Sequence, residues 1–142
     1  MAVTAMTKIL LVEDSKFLRL ATERALVRTG YEVSSAADGE EGLRVARAKL
    51  PDLILLDLLL PKISGLDVLK SLKKDPLTRA IPVVVMTGMT QKNAPRLQED
   101  GAAGFLEKSA LELDKGSEKL LAALREILAN LPAAEHARKT TA

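Results

Sequence analysis

Leu53-Ile54-Leu55-Leu56-Asp57-Leu58-Leu59-Leu60 (LILLDLLL) sets a single carboxylate in a run that is otherwise wholly apolar. An unbroken run of this length, with no polar alternation, reads as a strand covered on both faces. Such burial is the condition of a parallel sheet whose crossover helices lie on either side. We place a central strand over residues 52–58. A charge at Asp57 within it must be paired or coordinated, because an isolated carboxylate among leucines loses its hydration without compensation.

Outward from this stretch the same kind of run recurs at 8–13 (KILLVE), more weakly at 31–35 (YEVSS), at 81–86 (IPVVVM) and at 104–107 (GFLE). Between the runs the apolar spacing turns helical. Residues 15–29 carry Leu18, Ala21, Ala25 and Leu26 on one face, and Gly30 is placed to take the left-handed stop. Asp38-Gly39-Glu40-Glu41 has the form of a capping box, opening a helix to Lys49 that Pro51 ends. A third helix runs from Ser64 or Gly65 to Lys74, with Leu66, Leu69 and Leu72 inward. A short fourth, 93–100, holds Pro95 in its first turn. A fifth, 117–131, is lined by Leu120, Leu121, Leu124, Ile127, Leu128 and Leu131 and stops at Pro132. Five strands alternating with five helices predict an α/β, doubly wound parallel sheet. One domain, 7–131, is expected between an N-terminal tail, 1–6, and a flexible C-terminal tail, 132–142.

Composition narrows the function classes. The 142 residues include no cysteine, which removes thiolate chemistry and Cys-based zinc sites. The 21 Lys and Arg nearly balance 19 Asp and Glu, so no strong field draws nucleic acid or a membrane surface. No apolar run approaches the roughly 18 residues of a membrane span, and the first residues lack a signal-peptide pattern, which reads as a cytoplasmic protein. Only Phe17, Tyr31 and Phe105 are aromatic, so the core must be built from aliphatic side chains.

In a doubly wound sheet, functional groups collect outside the carboxyl ends of the strands. There the sequence supplies Glu13-Asp14 after strand one, Asp57 at the end of strand three, Thr87 at the end of strand four and Lys108 after strand five. Clustered carboxylates repel, and a hard cation with oxygen ligands, Mg2+ above all, relieves the repulsion. With a cation present, Asp57 can attack phosphorus to form an acyl phosphate, while Thr87 and Lys108 bind the phosphoryl oxygens.

These motifs, in this order, resemble the receiver domain of two-component response regulators, in its stand-alone, chemotaxis-regulator-like form, over residues 7–131. Pro61 and Gly65 in LLLPKISGLD are similar to the family's loop after the phosphoacceptor, Gly101-Ala102 to its turn before strand five, and Phe105 to its aromatic switch position. The resemblance implies a flavodoxin-like sheet of strand order 2-1-3-4-5 and a phosphoacceptor at Asp57. It implies Mg2+ held by Asp14, Asp57 and the Leu59 carbonyl, with Glu13 acting through a water. The implied donor is a phosphohistidine on a histidine kinase or phosphotransfer protein. Phosphorylation then draws in Thr87 and Phe105 and changes the face of helix four, strand five and helix five, the surface for a downstream target or a homodimer. The class is a signalling domain and not an enzyme, promoting its own phosphorylation and slow autodephosphorylation.

Four departures from the family stand out. Ser109 occupies the place of a usual proline, so we expect a trans Lys108–Ser109 bond. Glu13 replaces the commoner Asp, the span from Thr87 to Gly101 is about one residue short, and Leu59 and Met89 offer no group to orient an attacking water, which favours a long-lived phosphorylated state. Other readings are weaker. Asp57 as a structural carboxylate and Glu13-Asp14 as a helix cap leave the joint set unexplained. An aspartyl phosphatase needs a second Asp where Leu59 stands, and a flavodoxin-like or nucleotide-binding module needs a Gly-, Ser- or Thr-rich loop where Glu13-Asp14 stands. His136 reads as a solvated tail residue. The leucines of the fifth helix read chiefly as core.

Overall fold

A computed structural model describes residues 7–87, 100–107 and 116–129. Five strands, β1 (Lys8–Val12), β2 (Glu32–Ala36), β3 (Leu53–Asp57), β4 (Val83–Thr87) and β5 (Gly104–Glu107), form one parallel sheet in the order β2-β1-β3-β4-β5. The chain leaves β1 to build β2 on one side and returns through β3 to build the other. The switch in direction therefore lies between β1 and β3, as the sequence led us to expect.

Alternation along the strands divides the core into two layers. Leu10, Val12, Ile54, Leu56, Val83 and Val85 pack with Ala46 of α2 (Gly39–Lys49) and with Val68, Leu69 and Leu72 of α3 (Gly65–Lys74). Ile9, Leu11, Leu53, Leu55, Val84 and Met86 pack with Leu26 of α1 (Lys16–Thr29) and with Leu120 and Leu124 of α4 (Gly116–Ala129). β1, β3 and β4 thus bury both of their faces, the physical reason their sequences are nearly unbroken apolar runs, whereas β2 at the sheet edge stays partly exposed.

Helix ends follow the cap chemistry. Ser15 accepts from the Leu18 amide, Asp38 from Glu41 and Ser64 from Asp67, while Gly30 closes α1 at φ 108°. Glu41 reaches back as the capping pattern predicts, its Oε1 accepting at 2.8 Å from the amide of Ala37, one residue before the cap. Strand limits shift by a residue or two from expectation. β4 begins at Val83, beyond Pro82, which has no N–H to give the ladder. α4 corresponds to the fifth expected helix. The fourth, 93–100, falls outside the described residues apart from Asp100, and both expected tails, 1–6 and 132–142, lie wholly outside them.

Candidate functional site: an acidic cluster at the strand ends

The carboxyl ends of β1 and β3 are neighbours in the sheet, with Val12 opposite Leu56. One residue beyond these partners stand Glu13 and Asp57. Glu13 extends the ladder by donating its amide to the Ala36 carbonyl at 3.0 Å. Its side chain is fully buried, and Asp57 is 1% exposed. Asp14, the next residue, faces solvent. Carboxylate oxygens of Glu13, Asp14 and Asp57 all lie within 4.8 Å of one another. Charges at that separation repel by roughly 3 kcal/mol per pair at an effective dielectric of about 20. All three donors are hard oxygens, two of them buried and that of Asp14 facing solvent, so the set fits a hard divalent cation.

Two connections fix the cluster. After β3, the Leu58 amide donates to Met86 O at 3.0 Å and the Leu59 amide to Asp57 Oδ1 at 3.1 Å. The chain then turns through Lys62, at φ 68°, whose ammonium meets Asp38 Oδ2 at 3.3 Å. The Glu41 amide foremost, with Lys62 beside it, holds the Asp38 carboxyl below its ordinary value. Gly65 donates to Leu58 O at 2.9 Å, and a Cβ built on it falls 2.3 Å from Asp57 O. Only a glycine lets α3 sit this close to the end of β3.

After β1, Glu13 Oε2 accepts from the Ser15 amide at 3.0 Å. Arg19, in the first turns of α1, donates from Nη1 to Glu13 O at 2.8 Å and to Asp14 O at 3.3 Å. Neither Arg19 nor the Asp38–Lys62 pair was singled out in the sequence. The available signal for Arg19 was a cation one turn inside a helix that follows two acids; Lys62 and Asp38 are too far apart in sequence for any local pattern.

The expected site residues divide as follows. Glu13, Asp14 and Asp57 converge. Leu59 follows directly, with its side chain 66% exposed at the rim. Thr87 ends β4 in register with Glu107, which ends β5, so the backbone places both at the same sheet edge as Asp57. Phe105, opposite Val85, is half-buried against the layer that includes α2 and α3. Lys108, Ser109, Met89 and Pro95 lie outside the described residues, and so does the Lys108–Ser109 bond.

Comparison with known proteins agrees with this architecture. Residues 9–125 match the family model described as the response regulator receiver domain. The chain is 43% identical over 103 residues to the response regulator PleD of Caulobacter vibrioides, covering 71% of this chain and 22% of PleD. It is 37% identical over 105 residues to the polar-differentiation response regulator DivK of Brucella ovis, covering 72% of this chain and 85% of DivK. The chain thus spans about a fifth of PleD but most of DivK. Among solved structures, the chemotaxis response regulator CheY4 of Vibrio cholerae superposes with a TM-score of 0.78 at 29% identity, over 87% of this chain and 99% of that one. The phosphorylated cyanobacterial phytochrome response regulator RcpA gives 0.76 at 32% identity, over 90% and 98%. No helix among the described residues is long and apolar enough to cross a membrane. With the sheet order, the acidic rim and the match over 9–125 in agreement, the chain belongs to the receiver domain family of two-component response regulators.

Proposed function

We propose that the chain accepts a phosphoryl group from a phosphohistidine on a kinase or phosphotransfer protein onto Asp57. The observation that carries this reading is the convergence of Glu13, Asp14 and Asp57 within 4.8 Å at the sheet's switch point. An Asp57 carboxylate oxygen attacks phosphorus, an O–P bond forms as the donor's N–P bond breaks, and the leaving imidazole takes a proton from solvent. Asp14, Asp57 and the Leu59 carbonyl would hold Mg2+, and Glu13 would reach it through a water. When bound, Mg2+ offsets the carboxylate charge and that of the incoming phosphoryl oxygens. Thr87 and Lys108 bind those oxygens.

In this reading the phosphorylated site draws Thr87 toward the phosphoryl group and Phe105 inward. The surface that changes comprises residues 93–100, β5 and α4, which meets a downstream target or a second copy of the chain. The protein works in the cytoplasm as a signalling domain. Its acyl phosphate hydrolyses slowly, because the exposed Leu59 side chain at the rim has no group to orient a water.

The test is incubation with acetyl phosphate and Mg2+, followed by intact mass measurement of wild type and Asp57→Asn. Wild type is expected to gain one phosphoryl group and the variant none. No gain in wild type refutes the proposal.

A further inference from the structure

Arg19 takes no part in the chemistry above, yet it spans the gap between a rigid helix and the acidic turn. Its own amide is bonded to Ser15 O at 2.8 Å, and α1 is seated in the core through the buried Thr22, Ala25 and Leu26. From that base its Nη1 reaches back to two successive carbonyls, those of Glu13 and Asp14. The ladder ends with the Glu13 amide on Ala36 O. Asp14 lies one residue past that bond and is exposed, so order there comes from Arg19, beside the Ser15 amide on Glu13 Oε2, where the sheet no longer supplies it.

We propose that Arg19 is a positioning residue for the acidic site, locking the turn 13–15 so that the Glu13 and Asp14 carboxylates meet Asp57 in a geometry ready for a divalent cation. This deepens the Mg2+ reading and rests on it. Two effects of the guanidinium oppose each other. Its hydrogen bonds hold the ligands in place before the cation arrives, which spares the ordering cost on binding. Its charge repels the cation. Bonding wins here, because the side chain is partly screened by solvent and its donors face carbonyl oxygens.

The two effects predict opposite signs for one substitution. In calorimetric titrations with Mg2+ alone, Arg19→Ala is expected to raise the Kd about tenfold. Arg19→Lys keeps the charge but loses the planar fork, and is expected to raise it several-fold. Hydrogen exchange in metal-free protein provides a second readout, with the Ser15 amide, bonded to Glu13 Oε2, exchanging about tenfold faster in Arg19→Ala while core amides keep their protection. An unchanged or tighter Mg2+ affinity in Arg19→Ala overturns the proposal, as does unchanged exchange at the Ser15 amide. Wild type that fails to bind Mg2+ sinks the metal reading, and the exchange result still shows separately whether Arg19 orders the turn.

Discussion

Gly65→Ala tests whether the close seat of α3 on the end of β3 is what shapes the site. A Cβ on Gly65 falls 2.3 Å from Asp57 O, 2.5 Å from Leu58 Cα and 2.8 Å from Leu58 O, all backbone atoms that cannot rotate aside. Cβ contacts below 3.0 Å are essentially never seen, so the start of α3 must withdraw by about 1 Å. That helix buries Val68, Leu69 and Leu72 almost completely. A gap of about 1 Å forfeits a quarter to a half of each contact's attraction, and burying such a side chain is worth about 1.5–3 kcal/mol. The expected loss is about 3 kcal/mol, well above the gain of up to about 1 kcal/mol from alanine's helix propensity.

Urea unfolding followed by circular dichroism reads this as a fall in midpoint of about 1–2 M at a slope near 2 kcal/mol/M. Gly30→Ala is the control. Its Cβ meets nothing within 4 Å, so only its φ of 108° resists, at a cost of about 1–2 kcal/mol and with no effect on the site. Gly65→Ala must also slow phosphorylation by acetyl phosphate, about tenfold, because the Gly65 amide is bonded to Leu58 O, next to the Leu59 amide that donates to Asp57. A Gly65→Ala protein within about 0.5 kcal/mol of wild type, phosphorylated at the wild-type rate, refutes the reasoning.

Three further outcomes follow from named contacts. Mg2+ at about 100 times its Kd is expected to stabilise wild type by about 2.7 kcal/mol in urea unfolding and Asp57→Asn by much less; equal effects place the cation elsewhere. Asp38 is held below its ordinary value of 3.8 chiefly by the Glu41 amide, and Asp75 chiefly by the Leu77 amide with Arg47 at 2.6 Å. A lowered folded-state pKa gives stability that is present above 3.8 and lost as pH falls through the lower folded value, so Asp38→Asn with Asp75→Asn flattens the acid limb of stability against pH. An acid limb as steep as wild type's rules out these two groups as its source. Leu59→Asn puts a polar group at the rim and is expected to shorten the half-life of phosphorylated protein several-fold by intact mass, whereas an unchanged half-life argues that Leu59 does not limit water attack.

Legibility in the sequence followed burial and local bonding. β1, β3 and β4 were readable because both faces of each are covered, and Ser15, Asp38 with Glu41, Ser64 and Gly30 because caps are bonds between near neighbours. Two left-handed residues were not. Pro51 disfavours the right-handed helical region for Leu50, and the chain ends α2 there at φ 46°, a conformation the sequence gives no reason to assign to leucine. Lys62 at φ 68° is supported by Asp38, a partner on a different connection. Of the site, the three acids were legible because carboxylates at the ends of apolar runs are conspicuous. Arg19 was not, because its partners are main-chain carbonyls, which carry no sequence signature.

The placement of the acidic cluster also limits what can respond to a change of charge there. The interior of β3 is buried on both faces, with Leu53 to Leu56 fully enclosed and β1 and β4 bonded on either side. Displacing it disturbs both core layers at once, which close packing resists. The connections beyond the strand ends are cheaper to move: the turn 13–15 is tied by Arg19 and the Ser15 amide, and the segment from Leu58 to Ser64 by the Met86 carbonyl and the exposed Lys62–Asp38 pair. The bond from Leu58 to Met86 reaches β4, and β4 pairs with β5, where Phe105 lies opposite Val85. Phe105 is only half-buried, unlike the fully enclosed Leu56 and Val85 of the same layer, so part of its ring surface remains outside the core. Under the proposed function, a change of charge at Asp57 would act first on the segments after β1 and β3, and β4 is the strand hydrogen-bonded both to that region and to β5.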